Sequence, residues 1–390
     1  MAVGSRLSSI GRPNNKQANR NMKSEFWRGT KVFVSGHTGF KGAWLCQWLQ
    51  ELGAEVTGYA LEPPTQPNMF ELLGMADGMN SVIGDTRDLP HLQRTMAEAE
   101  PEVVFHLAAQ SLVRASYEMP VETFNTNVMG TVHLLEAVRQ TKGVRSLVVI
   151  TSDKCYQNRE WYWSYREKSA LGGDDPYSAS KACAELVFAA YNKSFFHPNR
   201  YSEHGLALAT VRAGNVIGGG DWATDRLVPD VLRSLISQRP VEIRNPHAIR
   251  PWQHVLEPLH GYLTLAEHLH EDGLRFSGAW NFGPFEDSER SVSWVVNHLY
   301  KLWGTDMKCR HDTRRQPHEN IYLKLDSSKA RSLLGWRPKL DLETTLEWIV
   351  EWTRKLQNGE TMRAVTVEQI QRFANLLQTV TAAFACTLAF

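Results

Sequence analysis

Lys31–Ser35 (KVFVS) is a β-branched apolar run that ends in glycines, the mark of a short buried strand. After it, Leu45, Trp48, Leu49 and Leu52 recur at i, i+3, i+4 and i+7, one apolar face of a helix. Gly53 stops that helix, and Glu55–Leu61 (EVTGYAL) predicts the second strand. The same pattern predicts strands at Ser81–Ile83, Val103–Leu107, Ser146–Thr151 and Leu206–Arg212. Helices are predicted between them at Leu89–Ala99, Val121–Gln140 and Tyr177–Phe195. Such alternation predicts an α/β fold of Rossmann type, a doubly wound parallel sheet with helices on both faces. Beyond Arg212 the pattern loosens and Pro and Gly cluster, which predicts a smaller mixed α/β domain over a substrate. The expected organisation is a disordered or appended leader over 1–28 and a sheet domain over 29–211, to which segments near 250–285 return. A substrate-binding region over 212–360 and a C-terminal helix and tail over 361–390 complete it.

Composition narrows the function. With 43 Lys+Arg against 42 Asp+Glu, no basic surplus is available for phosphate backbones, so a small molecule is expected rather than nucleic acid. The five cysteines (46, 155, 183, 309 and 386) are far apart and form no CxxC pair, and the histidines show no HExxH spacing. Neither a disulfide scaffold nor a metal site is expected, which suits a reducing cytoplasm. Residues 1–22 are basic and polar without the apolar stretch of a signal peptide, and Met22 is an alternative start. Thr379–Phe390 is apolar but shorter than the ~20 residues a membrane span requires, so no membrane association is expected.

Two motifs carry candidate chemistry. Gly36-His37-Thr38-Gly39-Phe40-Lys41-Gly42 lies between the first strand and the first helix. Gly36, Gly39 and Gly42, with Thr38 and Phe40, would let backbone N–H groups approach a dinucleotide diphosphate at the helix N-terminus. Glu62 is the nearest acid for the adenosine ribose, with a solvated loop acid as its plain alternative; no Arg stands there, which favours NAD over NADP. Asp85 is either an adenine contact or a helix N-cap. The second motif, Tyr177-Ser178-Ala179-Ser180-Lys181, puts a phenol and an ammonium one helical turn apart. The ammonium is expected to lower the phenol pKa, letting Tyr177 take a hydroxyl proton as hydride leaves for a nicotinamide. Ser152, at the end of the fifth strand, is the expected hydroxyl partner.

Together these residues resemble the extended short-chain dehydrogenase/reductase family, over about Thr30–Trp352. The resemblance implies that Leu107, Ala108, Ala109, Gln110 and Asn127 lie beside NAD, and that Asn215, in RAGNVIG, contacts a sugar nucleotide. Ser152-Asp153-Lys154 resembles the acid/base segment of the family's nucleotide-sugar 4,6-dehydratases, with Lys154 where the dTDP-glucose enzymes carry Glu. Together with Arg212–Trp222, Arg244–Val255, Trp280–Pro284 and Pro317–Glu319, it implies CDP-glucose as substrate. Asp153 would be the acid, while Lys154 would be the base or stabilise an enolate. Candidate substrate contacts are Ser111, Arg114, Asn215, Arg226, Arg250 and Arg290, with His318 near the nucleoside. Trp161 and Trp163 either stack on a base or pack a lid; Cys155 and Cys183 are read as small apolar fillers. The resemblance also implies a homodimer through the 121–138 and 177–195 helices, with a dimer of dimers as the alternative. An epimerase or reductase of the same fold, or a non-catalytic NAD-binding protein, are the alternatives.

Overall fold

The computed structural model describes residues 24–312 and 322–387, with side chains described to Gln378. Its strands, in chain order, are β1 (Lys31–Ser35), β2 (Glu55–Ala60), β3 (Asn80–Ile83), β4 (Val103–His106), β5 (Ser146–Ile150) and β6 (Ala207–Ala213). They continue as β7 (Asn215–Ile217), β8 (Glu242–Ile243), β9 (Ile249–His254), β10 (Gly278–Phe282), β11 (Glu289–Ser291) and β12 (Arg310–His311). Seven of them form one sheet in the order β10-β6-β5-β4-β1-β2-β3, and every pairing is parallel. β4, β5 and β6 are buried along their whole length, because helices cover both faces. The strand order reverses between β1 and β4, which opens a crevice at the carboxyl ends of these strands.

Alternation along β1 divides the core. Val34 joins Trp44, Trp48, Leu263, Trp280 and Phe373 on one face, whereas Phe33 joins Tyr59, Leu134, Val149, Phe188 and Leu208 on the other. A third apolar cluster links Ile217, Val231, Trp252, Val296, Leu346 and Ile349 around a small mixed sheet, β11-β9-β7, with β12 pairing β8 nearby. The helix Met362–Thr387 closes the chain, and Phe373 packs edge-on against Trp48 with ring centres 5.7 Å apart. Among the described residues no helix is long and apolar enough to cross a membrane.

One predicted helix is broken. The segment expected at 121–140 is a short helix (Pro120–Phe124), a π-turn (Asn125–Met129) and a second helix (Gly130–Gln140). The wide turn coincides with Asn127, whose side chain is tied to Gln110 and Ser180, and such bulges recur at functional sites.

Candidate active site

The glycine turn at the end of β1 is built too tightly for side chains. Gly36 has φ +82°, and a Cβ there would sit 2.7 Å from the Ala108 nitrogen. A Cβ on Gly42 would strike the Gly36 carbonyl oxygen. Gly39 caps the helix Phe40–Glu51 with no side-chain hydrogen bond, so no side chain fills the anion-binding N-terminus. These residues therefore fit the diphosphate of a dinucleotide. Thr38 instead donates to the Leu61 carbonyl at 2.8 Å, fastening the turn to the end of β2. His37 is fully buried and pairs through Nε2 with the Ser81 hydroxyl at 2.7 Å, and burial pushes its pKa down to about 4.

Glu62 is exposed on the loop just after β2. Asp85 is bound by Arg87, whose Nε donates to Oδ2 at 2.8 Å and whose backbone N–H donates to Oδ1 at 2.9 Å. The helix N-cap reading of Asp85 is overturned: Asp88 caps Leu89–Ala99 by accepting from the His91 N–H at 3.1 Å. The loop 107–110 is anchored by Leu107 N–H to the Ser35 carbonyl at 3.0 Å. Its other end is clamped by Asn127, which accepts from the Gln110 N–H at 2.8 Å and donates to the Gln110 carbonyl and the Ser180 hydroxyl, each at 2.9 Å. Asn127 thus joins the glycine-turn side of the crevice to the YxxxK helix.

The YxxxK motif occupies the start of Pro176–Ser194, capped by Asp175, which accepts from the Ser178 N–H at 2.9 Å. Ser152, two residues after β5, caps a single turn, Asp153–Cys155. Its hydroxyl hydrogen-bonds the Tyr177 phenol and donates to Asp153 Oδ1 at 3.1 Å, so Ser152, Asp153 and Tyr177 form one contact group. Lys181 donates to the Ile150 carbonyl at 3.4 Å. The expected lowering of the Tyr177 pKa is not found: burial pushes the phenol up to about 12 and the Lys181 ammonium down to about 8. Desolvation by burial penalises the charged form of each group.

Asp153 is buried, its Oδ2 has no hydrogen-bond partner, and burial raises its pKa. Lys154, next in sequence, lines a cavity of ≈ 180 Å³ together with Tyr117, Tyr156, Asn158, Asp174 and Ser178. A buried carboxyl and a lysine side chain thus follow Ser152 on one short turn, residue types that can serve the proton transfers of an elimination.

Across the mouth, Arg226 donates to Asp221 at 2.9 Å and to the Ser111 hydroxyl at 2.7 Å, while Arg114 pairs with Asp225 at 3.0 Å. Ser111, Arg114 and Arg226 are therefore assembled into one rim. Arg250, on β9, is buried close enough to Asp153 for their charges to interact. It sits opposite Arg290 of β11, and Asn215 of β7 pairs with Trp252 of β9. Trp161 stacks on Tyr165 at 5.4 Å and packs the loop, whereas Trp163 is 71% exposed. Cys155 is fully buried, and burial pushes its thiol up. His318, Pro317 and Glu319 lie outside the described residues. Among the described residues no group of three or more His, Cys, Asp or Glu could hold a metal ion.

Sequence reasoning passed over two features. Glu185, four residues after Lys181, forms a buried ion pair with Arg212 of β6, and Arg212 also donates to the Tyr156 hydroxyl. The i+4 spacing placed Glu185 on the Lys181 face, but nothing local named its partner. Lys41, inside the glycine motif, approaches the same centre, where burial lowers its pKa to about 7 and Asp153 is among its electrostatic neighbours. The motif treats that position as free, so spacing alone carried no signal.

Residues 33–349 match the sequence model of the family described as GDP-mannose 4,6 dehydratase. The chain belongs to the GDP-mannose 4,6 dehydratase family. This family member is 55% identical over 348 residues to the CDP-glucose 4,6-dehydratase of Salmonella typhimurium (strain LT2), covering 89% of the chain and 97% of that protein. Its fold is shared with the solved structure of MoeE5 in complex with UDP-glucose and NAD, at TM-score 0.70 and 26% identity over 84% of this chain and 99% of that one. DesIV, a dTDP-glucose 4,6-dehydratase from Streptomyces venezuelae solved with NAD and TYD bound, superposes with TM-score 0.72 at 24% identity, covering 84% of this chain and 98% of that one. The GDP-mannose 4,6 dehydratase family fold is thus an extended short-chain dehydrogenase/reductase fold.

Proposed function

We propose that the chain is an NAD-dependent CDP-glucose 4,6-dehydratase, a hydro-lyase that forms CDP-4-keto-6-deoxyglucose and water. The observation that carries the reading is Asp153: a buried carboxyl with one unpartnered oxygen, held by Ser152 beside Tyr177. The 55% identity to a CDP-glucose enzyme over most of both chains supports the substrate. Residues 29–211 would hold the cofactor and 212–360 most of the substrate.

Gly36, Gly39 and Gly42 would hold the NAD diphosphate, and the bound cofactor would supply a hydride acceptor at C4 and a hydride donor at C6, so the reaction would be redox-neutral overall. Tyr177, hydrogen-bonded to Ser152, receives the C4 hydroxyl proton; Lys181 supplies the positive charge that favours phenolate once ligands exclude water. The 4-ketone acidifies C5–H. Lys154 removes that proton, directly or through a water, or stabilises the enolate, while Asp153 protonates the departing C6 hydroxyl. Ser111, Arg114, Asn215, Arg226 and Arg250 bind the nucleotide sugar, the arginines meeting its diphosphate. Exposed Val121, Met129 and Leu186 on the helices flanking Asn127 and Tyr177 support pairing of two copies. Among the described residues Cys46, Cys155, Cys183 and Cys309 form no disulfide, which suits a cytoplasmic setting.

The test is direct: purified protein is incubated with CDP-glucose, and the alkali-treated mixture is read for the absorbance of a 4-keto sugar. Turnover is expected. No product from CDP-glucose, with turnover of another nucleotide sugar, overturns the substrate; no turnover of any overturns the enzyme.

A further inference from the structure

Lys41 begins on the first turn of Phe40–Glu51, and its Nζ lies 5.9 Å from the centre of the Tyr262 ring. Tyr262 belongs to the helix Leu256–Phe276, on the core side of the crevice, and its hydroxyl is buried without a hydrogen-bond partner. Asp153 interacts electrostatically with both Tyr262 and Lys41. Three groups from three separate elements therefore converge, and two present buried polar atoms with no partner, Asp153 Oδ2 and the Tyr262 hydroxyl.

The charged groups facing Lys41 are Arg226, Lys181, Asp153 and Asp221. Arg226 and Lys181 repel it. Asp221 is already bonded to Arg226 at 2.9 Å. Asp153 is the remaining acidic neighbour, and its own cationic neighbours are Lys154 and Arg250. Elimination changes what Asp153 requires. As a neutral acid it is stable in a dry site; once its proton is given up, a carboxylate is left there and needs a cation close by. Lys154 acts on Asp153 from its own turn and Arg250 from β9. Lys41 approaches from the glycine turn.

Resting on the dehydratase reading, we propose that Lys41 is a positioning residue for water elimination, its ammonium stabilising the Asp153 carboxylate formed as the C6 hydroxyl departs. The Asp153 proton joins the C6 hydroxyl oxygen and leaves as water. The C5–H electron pair becomes the C5=C6 bond, and the C5 proton passes to Lys154 or its water. Lys41 contributes charge and no atom. Burial lowers its pKa to about 7, so its charge responds to whether Asp153 is ionised.

The experiment compares wild type, Lys41→Met and Lys41→Arg on CDP-glucose and on its analogue bearing fluorine in place of the C6 hydroxyl, since fluoride leaves with far less need of a proton. Wild-type turnover of CDP-glucose is the control; without it, the dehydratase reading itself fails. With it, Lys41→Met is expected to cut kcat on CDP-glucose roughly tenfold or more. KM and bound NAD stay unchanged, and reduced-nicotinamide absorbance builds up within the first turnover. The fluoro substrate should lose less than about threefold, and Lys41→Arg should restore most of the rate on CDP-glucose. Equal losses on both substrates, loss of bound NAD without the absorbance build-up, or unchanged kcat would each overturn the proposal. If Lys41→Met does not fold, the pH profiles decide. Wild-type kcat should fall above about pH 7–8 as Lys41 loses its charge, and Lys41→Arg should hold its rate further into base. Coincident profiles would overturn the proposal.

Discussion

Arg212 grips Glu185 through both Nε, at 2.8 Å, and Nη2, at 2.7 Å, with each side chain only 3% exposed. Glu185 also accepts from Thr151 and Thr210, and Arg212 reaches the Tyr156 hydroxyl at 2.8 Å. The pair thus braces the end of β5, the helix of Tyr177 and Lys181, and the turn of Asp153. Removing one member leaves a buried charge alone. Arg212→Met is expected to destabilise the fold by about 3–5 kcal/mol, and the double variant Arg212→Met/Glu185→Leu by less than the single one. Urea unfolding of wild type, Arg212→Met and the double variant checks this, and a double variant less stable than Arg212→Met would contradict it.

Gly42→Ala forces a methyl group against the Gly36 carbonyl oxygen, a backbone atom that cannot swing aside. The turn must widen where a dinucleotide diphosphate would meet it. NAD affinity should fall at least tenfold, about 1.4 kcal/mol, in a fluorescence titration. Unchanged affinity would show that the turn is not the binding surface.

Lys154→Met keeps the length of the side chain and removes the amine. Reduced nicotinamide should still form slowly from CDP-glucose, because Tyr177 and Lys181 are untouched, while release of the 4-keto product falls by about 10²–10⁴. Stopped-flow absorbance separates the two steps. Normal turnover would remove Lys154 from the chemistry.

Glu257 offers a pH test independent of catalysis. It is fully buried, accepts from the N–H groups of Lys339 and Leu340 at 2.7 and 2.6 Å, and has an unpartnered Oε2; burial pushes its pKa up to about 8. The folded state binds this proton more tightly than the unfolded one. Its contribution is therefore complete below the unfolded value of about 4.3 and is lost as pH rises toward 8. Glu257→Gln keeps the accepting oxygen and never ionises. Between pH 5 and pH 8 its stability relative to wild type should rise, by up to about 1.4 kcal/mol per pH unit. Parallel urea curves at the two pH values would refute the assignment.

Most of the sheet was legible because β4, β5 and β6 are buried on both faces and so are mostly apolar, although β4 ends in His106 and β6 carries Thr210 and Arg212. The predicted Leu89–Ala99 helix matches the observed one residue for residue. The π-turn at Asn125–Met129 was not legible, since one added residue scarcely disturbs apolar spacing; its partners Gln110 and Ser180 are 17 and 53 residues away. The glycine turn and YxxxK announced themselves by local spacing. Lys41 did not, because its surroundings come from elements that only tertiary folding brings together. The Tyr177 pKa went astray for a related reason: motif reasoning counted the neighbouring charge and left out burial, which pushes the phenol up.

The sheet order sets the sequence in which a growing chain can complete itself. β6 pairs with β5 on one side and with β10 on the other, and β10 begins at Gly278, 65 residues after β6 ends at Ala213. Until those residues emerge, β6 presents a bare row of N–H and C=O groups on a fully buried strand, the kind of edge that recruits strands from other chains. A chain halted between 214 and 277 should therefore aggregate even though the glycine turn and the Tyr177–Lys181 pair are already made. The last strand of the sheet protects the nascent protein as much as it stabilises the finished one.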